Sequence, residues 1–289
     1  MVLWLKKRKE RQDSFLVFVF VLFISSLGFL TFFHGYRTIG GNALATYRET
    51  SGSVLANVKG FLTGVEAGFN EGFFGRSLFV DIHGSIQLIL RKKLIDDVNP
   101  QHTVFKMDNG QLTFVYPEYD PFDFSNFVVE VRDYLSTSGT PLIYTQAPFK
   151  ISKYEQDSIV SMVDSSNDNA DRMMQRLYEN NVLVVDLRDE IHMDETLYHQ
   201  NAFYNTDHHW TTNASFWAYT KTIKFLVENT NVPVWNHTLT TDKSNYFVQV
   251  YPDSFLGSQG RRVGRFYGGV DDFELITPSF ETDYEIEIV

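Results

Sequence analysis

Thr206 to Trp217 reads TDHHWTTNASFW, which places a carboxylate, two imidazoles and an indole in succession. In an extended segment, residues two apart point to one side and the residue between them to the other. Asp207 and His209 would then share a face, with the carboxylate holding the imidazole in one tautomer. That is the orienter and base of hydrolytic triads. His208 would point away. A metal reading needs convergent ligands, whereas adjacent histidines in a strand diverge, and His192, Glu195 and His199 supply no compact third ligand. A packing reading also stands. Thr211, Thr212 or Asn213 can cap a helix whose apolar positions include Phe216, Tyr219, Ile223 and Leu226 or Val227, while Trp210 packs and the histidines fill space. It leaves Asp207 without a purpose, but the residues alone keep all three readings open.

Position favours chemistry. TPLIYTQAPF and VLVVDLRDEI (Val182–Ile191) are near-continuous apolar runs, the pattern of strands covered on both faces. A helical stretch from Ser152 to Asn181 joins them, so the spacing predicts a βαβ unit with parallel strands. Sites in such sheets form outside the carboxyl ends of the strands, and the Asp207 motif follows the second strand. Before this unit, Val54–Phe74 and Arg76–Ile95 have helical periodicity. His83 lies alone on the second of these helices and carries no functional reading. TVFKMDNGQLTFVYPE predicts a hairpin turning at Asp108-Asn109-Gly110, and Phe124–Gly139 a helix closed by its glycine.

The chain has 289 residues and no cysteine, which excludes disulfides and thiolate metal sites. Aromatic residues reach 16%, with 26 Phe and 15 Tyr. Of the 25 Lys/Arg and 36 Asp/Glu, the first 13 residues hold five and two, leaving 20 and 34 and a net charge of −14 on the remainder. An acidic body excludes nucleic acid as a partner, since phosphate binding needs a basic face. Ser14–Phe33 is an uncharged run of 20 residues, the length that crosses a hydrocarbon core. Lys6, Lys7, Arg8, Lys9 and Arg11 precede it and orient the N-terminus to the cytoplasm. The competing reading is a cleaved signal with its site at Ala43–Ala45, but the apolar run is long for a signal core. The expected organisation is a cytoplasmic basic head (1–13), a single-pass signal anchor in the cell membrane (14–34), a juxtamembrane linker with helices (35–100), and an extracytoplasmic domain (101–289).

YNTDHHWTTNASFWAY resembles the signature of the bacterial DHHW family, related to the alginate O-acetyltransferase-like branch of the SGNH hydrolase superfamily. FFGRSLFVDIHG, TVFKMDNGQLTFVYP, PLIYTQAPFKI, VLVVDLRDEI and SFLGSQGRRVGRFYGGVDDFELI extend the resemblance over roughly residues 60–289. It implies an α/β fold, an SGNH-like α/β/α sandwich with a mostly parallel sheet, preceded by one transmembrane helix. It also implies a Ser-His-Asp triad for O-acyl transfer or ester cleavage on cell-surface polysaccharide. Asp207 and His209 match the family's Asp and His, and His208 its variable position. Neither metal nor other cofactor is implied; a membrane-bound O-acyltransferase is the implied donor partner.

In relatives the nucleophilic serine follows the Asp-x-His segment in a Gly-Asp-Ser-like turn. No such turn is visible before the chain closes on FETDYEIEIV, so the domain is expected to lack its C-terminal catalytic part. Ser254, in PDSF, imitates the turn imperfectly and is the one local nucleophile candidate. Phe255, Gly257 and Ser258 match a separate family element. Trp210, His208, Gly257, Ser258 and Arg261, with Arg262 beside it, are candidate cleft residues. Two functions follow: an anchored O-acyltransferase or esterase, or an inactive glycan-binding or scaffold subunit.

Overall fold

The computed structural model describes residues 2–50, 52–97, 99–154, 164–234 and 236–282, with only the backbone described for 2–12. Two compact units divide the chain, Met1–Phe79 and Val80–Val289.

In the first unit, α1 (Val2–Glu49) and α2 (Val54–Glu71) form a helical hairpin. Asp13–Glu49 is long and apolar enough to cross a membrane. The stretch from Gly35 to Glu49, expected as a linker, is helical because α2 packs along it. The spacing of Gly60, Gly64 and Gly68 lets the two backbones approach closely. A Cβ at Gly64 would stand 2.5 Å from the Asn42 carbonyl oxygen, and one at Gly68 2.5 Å from Ile39 Cα. Ser53 caps α2 by accepting from the Ala56 amide.

α3 (Arg76–Ile89) stops short of Ile95, because Leu94–Ile95 instead forms β1. This strand pairs antiparallel with β2 (Val104–Lys106), which pairs with β3 (Leu112–Thr113) across the expected turn. The second unit, Val80–Val289, takes in most of α3 together with this sheet. Asp81 shows why: buried, it accepts hydrogen bonds from the Arg265 amide and Nε at 2.9 and 2.8 Å.

α4 (Phe122–Ser136) leads to β4 (Ile143–Gln146), and α5 (Ser166–Glu179) to β5 (Leu183–Asp186). β4 and β5 pair in parallel from Ile143↔Leu183 to Gln146↔Asp186. The two helices cover this pair through Val128, Met173, Met174 and Leu177 packed with Val182 and Val184. The part of the expected Ser152–Asn181 helix at 155–163 lies outside the described residues. The second strand was expected to reach Ile191, but it ends at Asp186, whose carboxylate accepts from the Arg188 amide and starts α6 (Leu187–Met193). Apolar Leu187 and Ile191 are buried helix positions, a pattern that a short apolar run cannot distinguish from a strand.

Then come α7 (Thr212–Asn229) and α8 (His237–Thr241), followed by β6 (Tyr246–Phe255). α9 (Gly260–Val263) and α10 (Arg265–Gly268) precede β7 (Asp271–Pro278), which pairs antiparallel with β6. The alternating pattern at 283–289 lies outside the described residues. The whole is a mixed α/β fold with one N-terminal candidate membrane helix.

Candidate active site

Asn205 to His209 is a bend between Phe203 and Trp210, which bridge each other before α7 begins. Thr211, one of the three expected caps, accepts from the Ala214 amide at 3.2 Å and closes the first turn of α7. Trp210 packs with Trp217 against Leu187 and Ala218, so this candidate cleft residue belongs to the core beneath the bend.

Two buried charges hold the bend from opposite sides. Lys150 follows the loop after β4, and its ammonium donates to the carbonyls of Tyr204, Asn205 and Asp207 at 2.6, 3.1 and 2.8 Å. Burial pushes the Lys150 pKa down to about 7, against the opposing pull of Asp271 and Asp207. Asp271, at the start of β7, accepts from the amides of Asn205 and Thr206 and from Thr206 Oγ1 at 2.7, 2.8 and 2.6 Å. Donors and acceptors of an irregular buried backbone are thereby satisfied, as burial demands. Gln259, fully buried, completes the clamp: with its amide oriented to suit its neighbours, it donates to the Asp207 and Leu112 carbonyls. Lys150, Asp271 and Gln259 escaped the sequence reading. Their function depends on convergence from three distant segments, which no local pattern reports.

The segment after β6 closes over Asp207. Gly257 donates to Thr206 Oγ1 at 2.9 Å, and the Ser258 amide donates to Asp207 Oδ2 at 2.5 Å. A Cβ at Gly257 would collide with the Asp207 side chain and stand 2.6 Å from the Thr206 carbonyl oxygen, so only glycine permits this approach. Asp207 Oδ1 faces the other way. It accepts from the His209 amide at 2.9 Å and meets His209 Nδ1 at 2.5 Å. Burial raises the Asp207 pKa, but the Ser258 and His209 amides and the His209 ring outweigh it and bring it down to about 2. An ionised carboxylate only accepts, so His209 Nδ1 carries the proton and Nε2 is left to exchange one. The His209 side chain is 67% exposed and its orienting carboxylate 6%, an arrangement suited to a general base.

His208 departs from the expected alternation. Its Nδ1 lies 2.9 Å from Ser258 Oγ and 3.4 Å from Asp207 Oδ1, and its ring centroid is 3.9 Å from that of His209. The cause is the Asp207 side chain, which binds the backbone two residues on and turns the segment instead of extending it. The two imidazoles thus converge, contrary to the divergence that the sequence reading expected of adjacent histidines.

The remaining candidates lie as follows. Ser254 is exposed near the end of β6, and its Oγ donates to the Tyr251 carbonyl at 2.8 Å. Arg261 Nε donates to the Leu256 carbonyl, and Arg262 pairs with Asp97 at 3.1 Å. A cleft of about 250 Å³ opens where β4 ends, walled by Phe114, Tyr116, Gln146, Phe149, Phe203 and His208. A larger hollow of about 340 Å³, lined by Arg188, His192, Asp194, Tyr198 and His199, includes neither Asp207 nor His209.

Comparison with known proteins bears on the same region. Residues 123–243 match the family described as ALGX, SGNH hydrolase-like domain, acetyltransferase AlgX. No curated protein matches the sequence significantly. Among solved structures, Bacillus cereus PatB1 with a sulfonyl adduct is similar with a TM-score of 0.48 and 13% identity, over 64% of this chain and 58% of that one. A DHHW family protein from Eubacterium siraeum gives 0.46 and 18%, over 65% and 58%. The O-acetyltransferase domain of Pseudomonas putida AlgJ gives 0.42 and 15%, over 61% and 65%. The chain thus spans less than two thirds of the length of each of these structures. The stretch that matches the family contains the Asp207–His209 bend and both strands of the parallel pair. Over residues 123–243, less than half of its length, this chain is similar to the SGNH hydrolase-like domain of AlgX-type acetyltransferases.

Proposed function

We propose that this chain is a membrane-anchored, extracytoplasmic O-acyltransferase or esterase acting on cell-surface polysaccharide, with Asp207 and His209 as its acid–base pair. The observation that carries the reading is the 2.5 Å contact between a buried, ionised Asp207 and an exposed His209. In the reaction, His209 Nε2 takes the proton of a serine hydroxyl as it attacks the acyl carbonyl, and Asp207 stabilises the imidazolium. His209 gives that proton to the departing group as the acyl-serine forms, then takes a proton from the sugar hydroxyl or water that attacks the acyl-serine and returns it to the serine oxygen. The cleft at the end of β4, which reaches the bend through His208, would take a sugar or acyl group, because aromatic rings make up much of its wall. The donor would come from a membrane-bound O-acyltransferase.

A second reading is favoured by the serines. The Ser254 hydroxyl bonds Tyr251 and that of Ser258 bonds His208, so neither is presented to His209 in this geometry. A domain with the pair but no working nucleophile would be a catalytically inactive glycan-binding or scaffold subunit. One assay separates the two. The full chain in detergent is tested for acetyl-ester hydrolysis and for acetyl transfer to polysaccharide. The enzyme reading expects turnover that falls by roughly 10⁴-fold or more in His209→Ala and in Asp207→Ala. Polysaccharide binding without turnover in the unaltered chain would assign the scaffold role instead.

A further inference from the structure

We propose that Asp207, His208 and His209 also form a reversible site for a divalent transition-metal ion, Zn²⁺ by donor chemistry, whose binding switches the acid–base pair off. The three side chains each bring one donor atom within 4.8 Å of the others. Asp207 Oδ1 stands 3.4 Å from His208 Nδ1 and 2.5 Å from His209 Nδ1. Around tetrahedral zinc, with N and O donors at about 2.0–2.1 Å, neighbouring donors lie roughly 3.3 Å apart. One edge of the tetrahedron is therefore already set. The second, to His209, opens by under about 1 Å if that side chain, 67% exposed, swings outward, and the third, between the imidazole donors, is within 4.8 Å.

The donor set selects the ion. Two imidazoles and one carboxylate suit zinc and its transition-metal neighbours, whereas Mg²⁺ and Ca²⁺ seek oxygen shells. The carboxylate is already oriented as zinc ligands require, through the amides of Ser258 and His209. Water or Ser258 Oγ, 2.9 Å from His208 Nδ1, would take the fourth position.

Binding and base chemistry exclude each other. For Nδ1 of neutral His209 to face the ion, its proton must move to Nε2. Nothing is oxidised or released, but Nε2 can then no longer accept a proton. This consequence for turnover rests on the proposed enzymatic reading; the binding site itself does not.

The test is titration of the full chain in detergent at neutral pH with Zn²⁺, and with Co²⁺ for its visible ligand-field bands. We expect saturable one-to-one binding at micromolar ion and tetrahedral-type cobalt bands. Binding should weaken at least about tenfold in His208→Ala, His208→Gln and His209→Ala, with no response to Mg²⁺. Circular dichroism establishes that each variant is folded, and turnover, where present, should fall in proportion to zinc occupancy. Absence of saturable binding, or affinity unchanged in folded His208→Ala and His208→Gln, overturns the proposal. Zinc binding without turnover would remove the enzymatic reading and leave the site standing; turnover without zinc binding would do the reverse.

Discussion

At Asp207 two opposing effects meet, and their balance is measurable. Burial disfavours its charge, while two backbone amides and an imidazole favour it and win, holding the carboxyl near 2 against an ordinary value of 3.8. Between those values the folded state binds fewer protons than the unfolded one. The stabilisation is therefore complete above pH ~4 and is lost as pH falls toward about 2, amounting to about 2 kcal/mol. Asp207→Asn should remove that slope, so acid unfolding followed by circular dichroism should be flatter from pH 4 to 2 than in the parent chain. An equally steep acid limb in the variant would mean that the carboxylate is not held as described. The pairing of Asp207 with His209 was visible in the spacing of the two residues. The direction of His208 was not, because an aspartate that bonds its own backbone replaces the two-residue alternation with a turn, and sequence spacing cannot announce which will prevail.

The elements that make the site are a loop after β4, the bend before α7, and the segment between β6 and α9. Lys150 ties the first to the second through three carbonyls, and Gly257 lets the third close over Asp207. Lys150→Met would remove the side-chain donor of all three carbonyls, leaving Asn205 with the Leu112 amide and Asp207 with Gln259, a loss of roughly 1–3 kcal/mol. The expected result is a lower unfolding midpoint together with faster amide exchange at 204–209, while α4 and α5 keep their protection. Exchange at the bend that matches the parent chain would show that Lys150 does not hold it. The β4–β5 pair, the hairpin at Gly110 and the cap at Thr211 were legible because each is written locally, in apolar runs, turn residues and a threonine before a periodic stretch. The end of β5 was not, since Leu187 and Ile191 are apolar in either conformation and only the cap at Asp186 decides between them. A buried lysine and a buried aspartate carry no periodic signal at all.

Across the whole molecule, the basic head, the uncharged run and the acidic remainder were plain in the sequence. The helical path through Gly35–Glu49 was hidden by glycines that read as a linker until α2 supplies a surface for them. We expect α1 to anchor the chain with the body outside the cytoplasm. Protease added to intact spheroplasts should digest the chain after α1, and full protection of the body would reverse that topology. The charge distribution belongs to this scale as well. A net −14 on the residues after the head gives them a charge that repels polyanions.

The measurement that reaches the central claim most directly is the tautomer of His209, read from ¹⁵N and ¹H resonances of the imidazole in metal-free chain at neutral pH. An ionised Asp207 only accepts, so its 2.5 Å contact with His209 calls for the proton on Nδ1 and leaves Nε2 to accept one. The account predicts a strongly downfield Nδ1 proton and an unprotonated Nε2, both lost in Asp207→Asn, with the His208 resonances retained. A His209 ring protonated on Nε2, with resonances indifferent to Asp207→Asn, would contradict it.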